Sequence, residues 1–374
     1  MEAVLLILPS LVGALGDTLK LSEQQIGLLG SSDLIGIALS TATGPLWLRR
    51  TRWRAAALTS LVAFLLCNVV CFGVKSFVPL LLVRFLAGLA AGVGYSISLA
   101  GVMDTKDAAR NAGLLLVVQV VFSAVGVYAI DVVSNAWRLD AVYGYILIWL
   151  VPFLPFAWRH FPEDPCERDQ TAALDWRKIK LQGSLVAAGV GIYFLMTGSF
   201  WGYLEGVARE AGLTVSQAGQ ALGVGQIAGF IGAGLAYGLG LRWGRAVPLV
   251  LTAAVQMVAL YLLTRLNQFG NVVLAFYVIN AAFQIFWAYI VPYFMIMFDE
   301  VEPTGRFVAL YGMVTHLTLA IGPYVGAFFI LNGHHRPLLW FAITLLALCI
   351  VLSLIAIRIG QSKEVTPSAA RVTG

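Results

Sequence analysis

Residues 269–298 read FGNVVLAFYVINAAFQIFWAYIVPYFMIMF and contain no Asp, Glu, Lys, Arg or His. An α-helix needs about 20 apolar residues to cross the hydrocarbon core of a bilayer, so this stretch is long enough to span a membrane. Ten other predominantly apolar segments are also long enough to span a membrane: 24–46, 54–74, 77–103, 112–133, 139–157, 183–207, 218–241, 246–263, 307–331 and 337–357. A twelfth segment, 3–15, is equally apolar but shorter. The pattern predicts an all-α membrane protein with many spans.

The composition excludes the soluble classes of protein. Of the 374 residues, 60% are hydrophobic and 11% are charged, whereas soluble chains carry roughly 25% charged residues. A soluble enzyme, a disordered chain and a nucleic-acid binder are therefore excluded. The sequence has no phosphate-binding Gly-x-x-x-x-Gly-Lys-Ser/Thr motif and no His or carboxylate cluster at ligand or catalytic spacing. We expect no cofactor, no metal and no enzymatic activity.

Basic residues predict the orientation in the membrane. Seventeen of the 24 Lys and Arg residues fall in one set of alternate loops. The other set has one in each loop: Lys20, Lys75, Arg138, Arg209, Arg265 and Arg336. Because basic loops face the cytoplasm, and because the alternation requires 3–15 as the first crossing, we expect twelve spans with both termini in the cytoplasm. The expected location is the cell (plasma or inner) membrane.

The chain repeats itself at an offset of about 192 residues. LSEQQIG at 21–27 returns as LTVSQAG at 213–219, which predicts two six-helix halves. The predicted division is an N-terminal bundle at 1–158, a cytoplasmic central loop at 159–182, a C-terminal bundle at 183–358 and a cytoplasmic tail at 359–374. About ten fewer residues precede the first copy within its bundle than precede the second. The first helix is therefore expected to be N-terminally incomplete, through truncation or a misplaced start, or to be short by nature.

Short motifs resemble those of the major facilitator superfamily of secondary transporters. The family signature Gly-x-Leu-x-Asp-Arg-x-Gly-Arg is similar to GPLWLRRTR at 44–52, where Leu48 replaces the Asp and Thr51 replaces the second Gly. RFLAG at 84–88 is similar to the Arg-bearing motif of the fourth helix. The resemblance implies two six-helix bundles that rock around a central cavity. It also implies a cytoplasmic gate, which would contain Gly44, Arg49, Arg52, Arg242, Gly244 and Arg245.

Ionisable residues inside spans are the candidates for proton coupling. A buried charge in a bilayer is costly, so such residues are functional candidates by default. Asp33 and Arg84 lie at similar depths in the segments 24–46 and 77–103 and are expected to form either a static salt bridge or a proton-coupled pair. His316 is either a neutral core histidine or a coupling residue. Glu205 lies near the outer end, as a rim residue or a proton site.

Polar stripes on apolar helices indicate the substrate site, because such stripes face protein or water rather than lipid. The candidate substrate-binding residues are Arg84, Gln119, Tyr193, Thr197, Trp201, Asn280, Gln284 and Trp287. For Asn280 and Gln284 the alternative is hydrogen bonding between helices without substrate contact. His334 and His335 are expected to form a solvated turn.

These residues favour a secondary transporter that takes up a small organic anion, aromatic or carboxylate, together with protons. Arg84 would meet the charge of the anion, and the fifth span lacks the Gly-Pro motif of exchangers. The expected partners are the substrate, protons and the lipid bilayer, with no nucleic acid, and the protein is expected to be a monomer. Two alternatives remain: proton-driven efflux of apolar compounds or drugs, and a receptor-like membrane protein without transport.

Overall fold

The computed structural model describes residues 19, 21, 23–131, 138–165, 176–302 and 304–361. The predicted first span at 3–15, and with it the question of an incomplete first helix, lies outside the described residues. The cytoplasmic tail also lies outside them beyond residue 361. The described chain forms helices and a single isolated bridge between Leu331 and His334.

The helices follow the predicted spans. They are α1 (Glu23–Ala42), α2 (Gly44–Trp47), α3 (Trp53–Gly73), α4 (Phe77–Met103), α5 (Ala108–Asp131), α6 (Arg138–Leu150), α7 (Phe153–His160), α8 (Trp176–Trp201), α9 (Leu204–Glu210), α10 (Val215–Leu239), α11 (Ala246–Leu263), α12 (Val272–Asp299), α13 (Ala309–Ala327) and α14 (Arg336–Gln361). A 3₁₀ turn covers Leu266–Gln268.

Eight helical spans in the described part of the chain are long and apolar enough to cross a membrane, with α6 and α7 counted as one. The helices α1, α5 and α13, of 20, 24 and 19 residues, occupy the three remaining predicted segments. Each of the eleven full-length segments predicted from hydropathy therefore contains a long helix or, for 139–157, a helix pair. The prediction of an all-α membrane protein is confirmed.

One predicted span is broken near its outer end. The segment 183–207 was expected to be continuous, but α8 ends at Trp201 and α9 begins at Leu204. At the break, Tyr203 has φ −117° and ψ 7°, outside the helical region. Glu205 therefore lies on a separate short helix, not on the helix that carries Tyr193, Thr197 and Trp201.

The repeated sequence marks the start of a helix. At the second copy, the side chain of Thr214 accepts a hydrogen bond from the backbone N–H of Gln217. The side chain of Gln217 in turn accepts one from the backbone N–H of Thr214. This capping box satisfies two N–H groups that have no partner within α10, which explains why a polar segment directly precedes the apolar run.

The packing of the helices follows the sequence repeat. In the N-terminal half (described residues up to Pro165), α4 packs against α1 and α3. In the C-terminal half (Trp176–Gln361), α12 packs in the same way against α10 and α11. The two halves meet mainly along two helix pairs, α1 with α13 and α5 with α10. The division of the chain into bundles, central loop and tail at the predicted limits stays a prediction.

Candidate functional site

The structure brings Asp33 of α1 and Arg84 of α4 into a buried ion pair. Arg84 donates from Nε to Asp33 Oδ2 at 2.8 Å and from Nη2 to Asp33 Oδ1 at 2.6 Å. Its third nitrogen, Nη1, donates to Oδ1 of Asn68 at 3.0 Å. Arg84 is 2% exposed and Asp33 5%. Every guanidinium nitrogen therefore has an acceptor inside the N-terminal half.

Asn68 of α3 positions this pair. Its amide Nδ2 donates to the carbonyl oxygen of Phe64 at 2.7 Å, one helical turn earlier, and this bond orients the amide so that Oδ1 faces Arg84. A buried ion pair is stable only when its geometry is good and its remaining donors find acceptors. Asn68 meets that condition, because its Oδ1 atom accepts from Nη1 of Arg84, the one guanidinium nitrogen that Asp33 does not bind.

Glycine allows the helix that carries Asp33 to approach α4 closely. A Cβ atom on Gly88 would lie 2.3 Å from the carbonyl oxygen of Asp33. The offset of 192 residues relates Asp33 to Gly225 and Gly88 to Asn280. A Cβ on Gly225 would lie 2.1 Å from Nδ2 of Asn280. The same close contact therefore occurs in both halves, but the glycine lies on α4 in the N-terminal half and on α10 in the C-terminal half.

The amide candidates of α12 lie against α10. Asn280 is 1% exposed and donates from Nδ2 to the carbonyl oxygen of Ala221 at 2.7 Å. Its Oδ1 atom and Nε1 of Trp287 are buried without a hydrogen-bond partner in the described part of the chain. Gln284 lies between them and is also buried. Asn280 and Trp287 therefore each keep a hydrogen-bonding atom that the described part of the chain leaves unused.

The candidates of α8 lie inside the C-terminal half. The hydroxyl of Tyr193 lies 2.9 Å from Nε2 of Gln256 on α11, which donates to it. Thr197 donates its hydroxyl to the carbonyl oxygen of Tyr193 at 2.9 Å. Both residues are buried, while Trp201 is half-buried and Glu205 is exposed. Gln119 is half-buried on α5, outside this group.

His316 lies where the two halves meet. Its ring packs edge-to-face on Tyr95 of α4, with centroids 5.4 Å apart. Its Nδ1 atom lies 2.7 Å from the carbonyl oxygen of Gly312, which requires that Nδ1 carries the proton in this contact, since a carbonyl only accepts. The imidazole is therefore a buried contact between the halves.

The predicted gate residues lie at the end of the bundle that carries most of the basic residues, called here the basic end. Arg49 forms a bidentate pair with Asp104 and also donates from Nη2 to the carbonyl oxygen of Gly305 in the other half, at 3.3 Å. Arg245 pairs with Glu300 in the second half. Both pairs join residues 55 positions apart, and the second pair follows the first by 196 residues (245 − 49), close to the offset of the repeat.

The other gate residues have simpler environments. A Cβ on Gly44 would lie 2.4 Å from that of Ala309, so this glycine sets the closest approach of α2 to α13. Gly244 has φ +66°, a turn conformation that favours glycine. Arg52 and Arg242 are exposed.

The end of the bundle opposite the basic end carries a contact that the sequence did not predict. Nδ1 atoms of His334 and His335 lie 2.8 and 2.9 Å from the two carboxylate oxygens of Glu210. Desolvation acts to raise the pKa of Glu210, but hydrogen bonds from His335 and His334 outweigh it and hold the pKa below its ordinary value. The turn is exposed, as expected, and the two histidines also fasten it to α9. The described residues contain no group of three or more His, Cys, Asp or Glu side chains placed to hold a metal ion.

Comparison with known proteins identifies the family. The sequence model of the Major Facilitator Superfamily matches residues 186–373, half of the chain. The chain belongs to the major facilitator superfamily. This confirms the resemblance and the expected fold class, two six-helix bundles of the superfamily type. None of the curated proteins matches the sequence significantly.

Solved structures share the superfamily fold at low sequence identity. A human organic anion transporter, MFSD10, has a TM-score of 0.74 at 15% identity and covers 94% of this chain and 95% of its own. The Escherichia coli fucose:proton symporter FucP has a TM-score of 0.68 at 14% identity, with 95% and 97% covered. A bacterial homologue of the iron transporter ferroportin, in an outward-facing state, has a TM-score of 0.70 at 15% identity, with 96% and 99% covered. The chain is a multi-pass membrane transporter of this superfamily.

Two site residues of this superfamily member escaped the sequence analysis. Asn68 and Gln256 each lie in an otherwise apolar span and each bind a predicted candidate, Arg84 and Tyr193 respectively. The signal was present, because a lone amide inside a span needs a polar partner. What the sequence lacked was the direction in which each amide points.

Proposed function

We propose that this superfamily member is a secondary active transporter that works by alternating access and takes up a small organic anion together with protons. The observation that carries the proposal is the buried bidentate pair between Asp33 and Arg84. Ionisable pairs deep in a membrane protein mark proton and ion pathways.

The pair supplies a coupling mechanism because Asp33 and an anion compete for the same donors. While Asp33 is ionised, its two oxygens occupy Nε and Nη2 of Arg84. When Asp33 takes up a proton, its charge disappears and the guanidinium can bind a substrate carboxylate in the same bidentate geometry. A proton and an anion therefore bind together, and loss of the proton restores the pair and expels the anion.

The contacts between the halves support one state of the transport cycle. Arg49 reaches Gly305 across the halves, and close approaches join Gly44 to Ala309 and Gly113 to Tyr237, all at the basic end. If the basic end faces the cytoplasm, as the positive-inside rule predicts, these contacts close the protein toward the cytoplasm. The similar ferroportin homologue was solved in an outward-facing state, which is the state we propose here.

Known proteins of the same fold are compatible with both parts of the proposal. MFSD10 is described as an organic anion transporter, and FucP is described as a fucose:proton symporter. We further propose that the protein lies in the plasma or inner membrane as a monomer with both termini in the cytoplasm.

The second candidate function is proton-driven efflux of apolar compounds. It is favoured by the same geometry, since no guanidinium nitrogen of Arg84 lacks an acceptor. An apolar substrate would leave the pair intact and would bind beside aromatic groups such as Trp287.

Uptake by reconstituted protein separates the two candidates. Proteoliposomes with an acidic exterior are given radiolabelled monocarboxylates and aromatic acids, and counterflow of lipophilic cations is measured in parallel. We expect uptake of one or more acids by the native protein and none by Arg84→Ala, whose thermal stability is measured as a control for folding. Acid uptake that survives in Arg84→Ala, or counterflow of lipophilic cations alone, would contradict anion symport.

A further inference from the structure

The halves touch at the basic end through two helix pairs that the repeat makes equivalent. A glycine allows a close approach beside each pair. In the first, Gly44 meets Ala309 at the start of α13. In the second, a Cβ on Gly113 of α5 would lie 2.6 Å from the backbone nitrogen of Tyr237 on α10. The backbone of Gly44 therefore meets the side chain of Ala309 at the first interface, and the backbones of α5 and α10 meet at the second.

An arginine also crosses each interface. At the first, Arg49 donates to the carbonyl oxygen of Gly305 at 3.3 Å. At the second, the guanidinium carbon of Arg110 lies 4.6 Å from the centroid of the Tyr237 ring. This distance is within the range of a cation–π interaction, in which the negative face of the ring attracts the cation. Arg110 is exposed and Tyr237 is half-buried, so the contact lies at the rim of the interface.

We propose that Arg110 and Tyr237 form a second closing contact, which acts with Arg49 and Gly305 to hold the basic end shut. The inference rests on the alternating-access cycle proposed above. Rocking of the two bundles must separate α1 from α13 and α5 from α10 together, because each half moves as a packed unit. Loss of either arginine contact therefore shifts the same equilibrium toward the state that is open at the basic end.

The size of the effect follows from the exposure of the contact. A cation–π interaction at an exposed site changes an equilibrium about two- to five-fold. Removal of the ring or of the cation should therefore raise the open fraction about two- to five-fold, without unfolding either half.

The test measures opening at the interface that the substitutions do not touch. Thr41 is fully buried on α1, and its Cγ2 would lie 2.7 Å from a Cβ on Gly312 of α13. In a Thr41→Cys background, reaction of the introduced thiol with a water-soluble maleimide reports separation of α1 from α13. We expect Tyr237→Leu and Arg110→Gln each to raise the labelling rate about two- to five-fold. Tyr237→Phe keeps the ring face and should label at the background rate.

Several outcomes would overturn the inference. One is that Tyr237→Leu labels at the rate of Thr41→Cys alone. Another is that Tyr237→Phe labels as fast as Tyr237→Leu. Additive effects in the Arg110→Gln/Tyr237→Leu double variant would show that the two side chains act separately. The same variants with the native Thr41 measure labelling of the native cysteines. If Tyr237→Leu does not fold, Arg110→Gln against Arg110→Lys decides the question. Labelling requires no transport, so an absence of acid uptake leaves this result unaffected.

Discussion

Replacement of Asp33 by Asn tests the coupling mechanism directly. The substitution keeps the shape of the side chain and removes both its charge and its ability to carry the proton. Under the proposed mechanism one proton enters the native protein with one monovalent anion, so transport would be electroneutral and would depend on the pH gradient alone. A gradient of about two pH units stores about 2.7 kcal/mol and can drive about 100-fold accumulation.

In Asp33→Asn the anion no longer competes with a carboxylate for Arg84, whose Nε and Nη2 atoms face Asp33 in the native protein. Uptake against a concentration gradient should therefore disappear, and the internal and external concentrations should become equal. Exchange of internal for external anion should continue. Proteoliposomes loaded with unlabelled acid, with and without a pH gradient, measure the two activities separately.

The stability of the same variant provides a second measurement. Loss of one member of a buried pair leaves an unpaired charge and costs about 3–5 kcal/mol; the Asn oxygen replaces one of the lost acceptors, so the cost should fall below that range. Added substrate should stabilise Asp33→Asn more than the native protein, because the anion replaces the missing charge. Asp140→Asn is the matched control, since it removes a carboxylate that pairs with Lys75 at a more exposed position. Accumulation by Asp33→Asn under a pH gradient would refute the mechanism.

Two further predictions concern stability. Gly88→Ala should destabilise the protein by about 1–3 kcal/mol, because the new Cβ would lie 2.3 Å from the carbonyl oxygen of Asp33. Gly223→Ala on α10 should stabilise the protein by about 0.5–1 kcal/mol, because a Cβ there meets nothing within 4 Å. The melting temperatures of both variants in detergent measure these two effects, and equal changes in the two variants would contradict the prediction. For Glu210, whose pKa is lowered from 4.5, the stabilising contribution is present above pH 4.5 and is lost as the pH falls through the lowered pKa. The melting temperature of the native protein should therefore fall more steeply below pH 4.5 than that of Glu210→Gln, and parallel curves would exclude the effect.

Hydropathy predicted the spans because hydrocarbon tolerates few alternatives to an apolar helix. It also placed Asp33 and Arg84 at matching depths, which helical rise alone determines. The break after Trp201 was not predictable, since Gly202 and Tyr203 are compatible with both helix and turn. The contact of Glu210 with two histidines was missed for another reason: its partners are more than 120 residues away in sequence, and only tertiary packing brings them together.

The repeat allows the two halves to be compared position by position, and the comparison assigns different tasks to them. The offset of 192 residues relates Arg84 to Phe276 and Asp33 to Gly225, so the C-terminal half has no charged pair at the equivalent place. At the positions of Gly88 and Gly92 it carries the amides of Asn280 and Gln284. Because a proton can be exchanged by a carboxylate but not by an amide, proton exchange at this position is possible only in the N-terminal half. The amides can only form neutral hydrogen bonds, which suits them to recognise the uncharged part of the substrate.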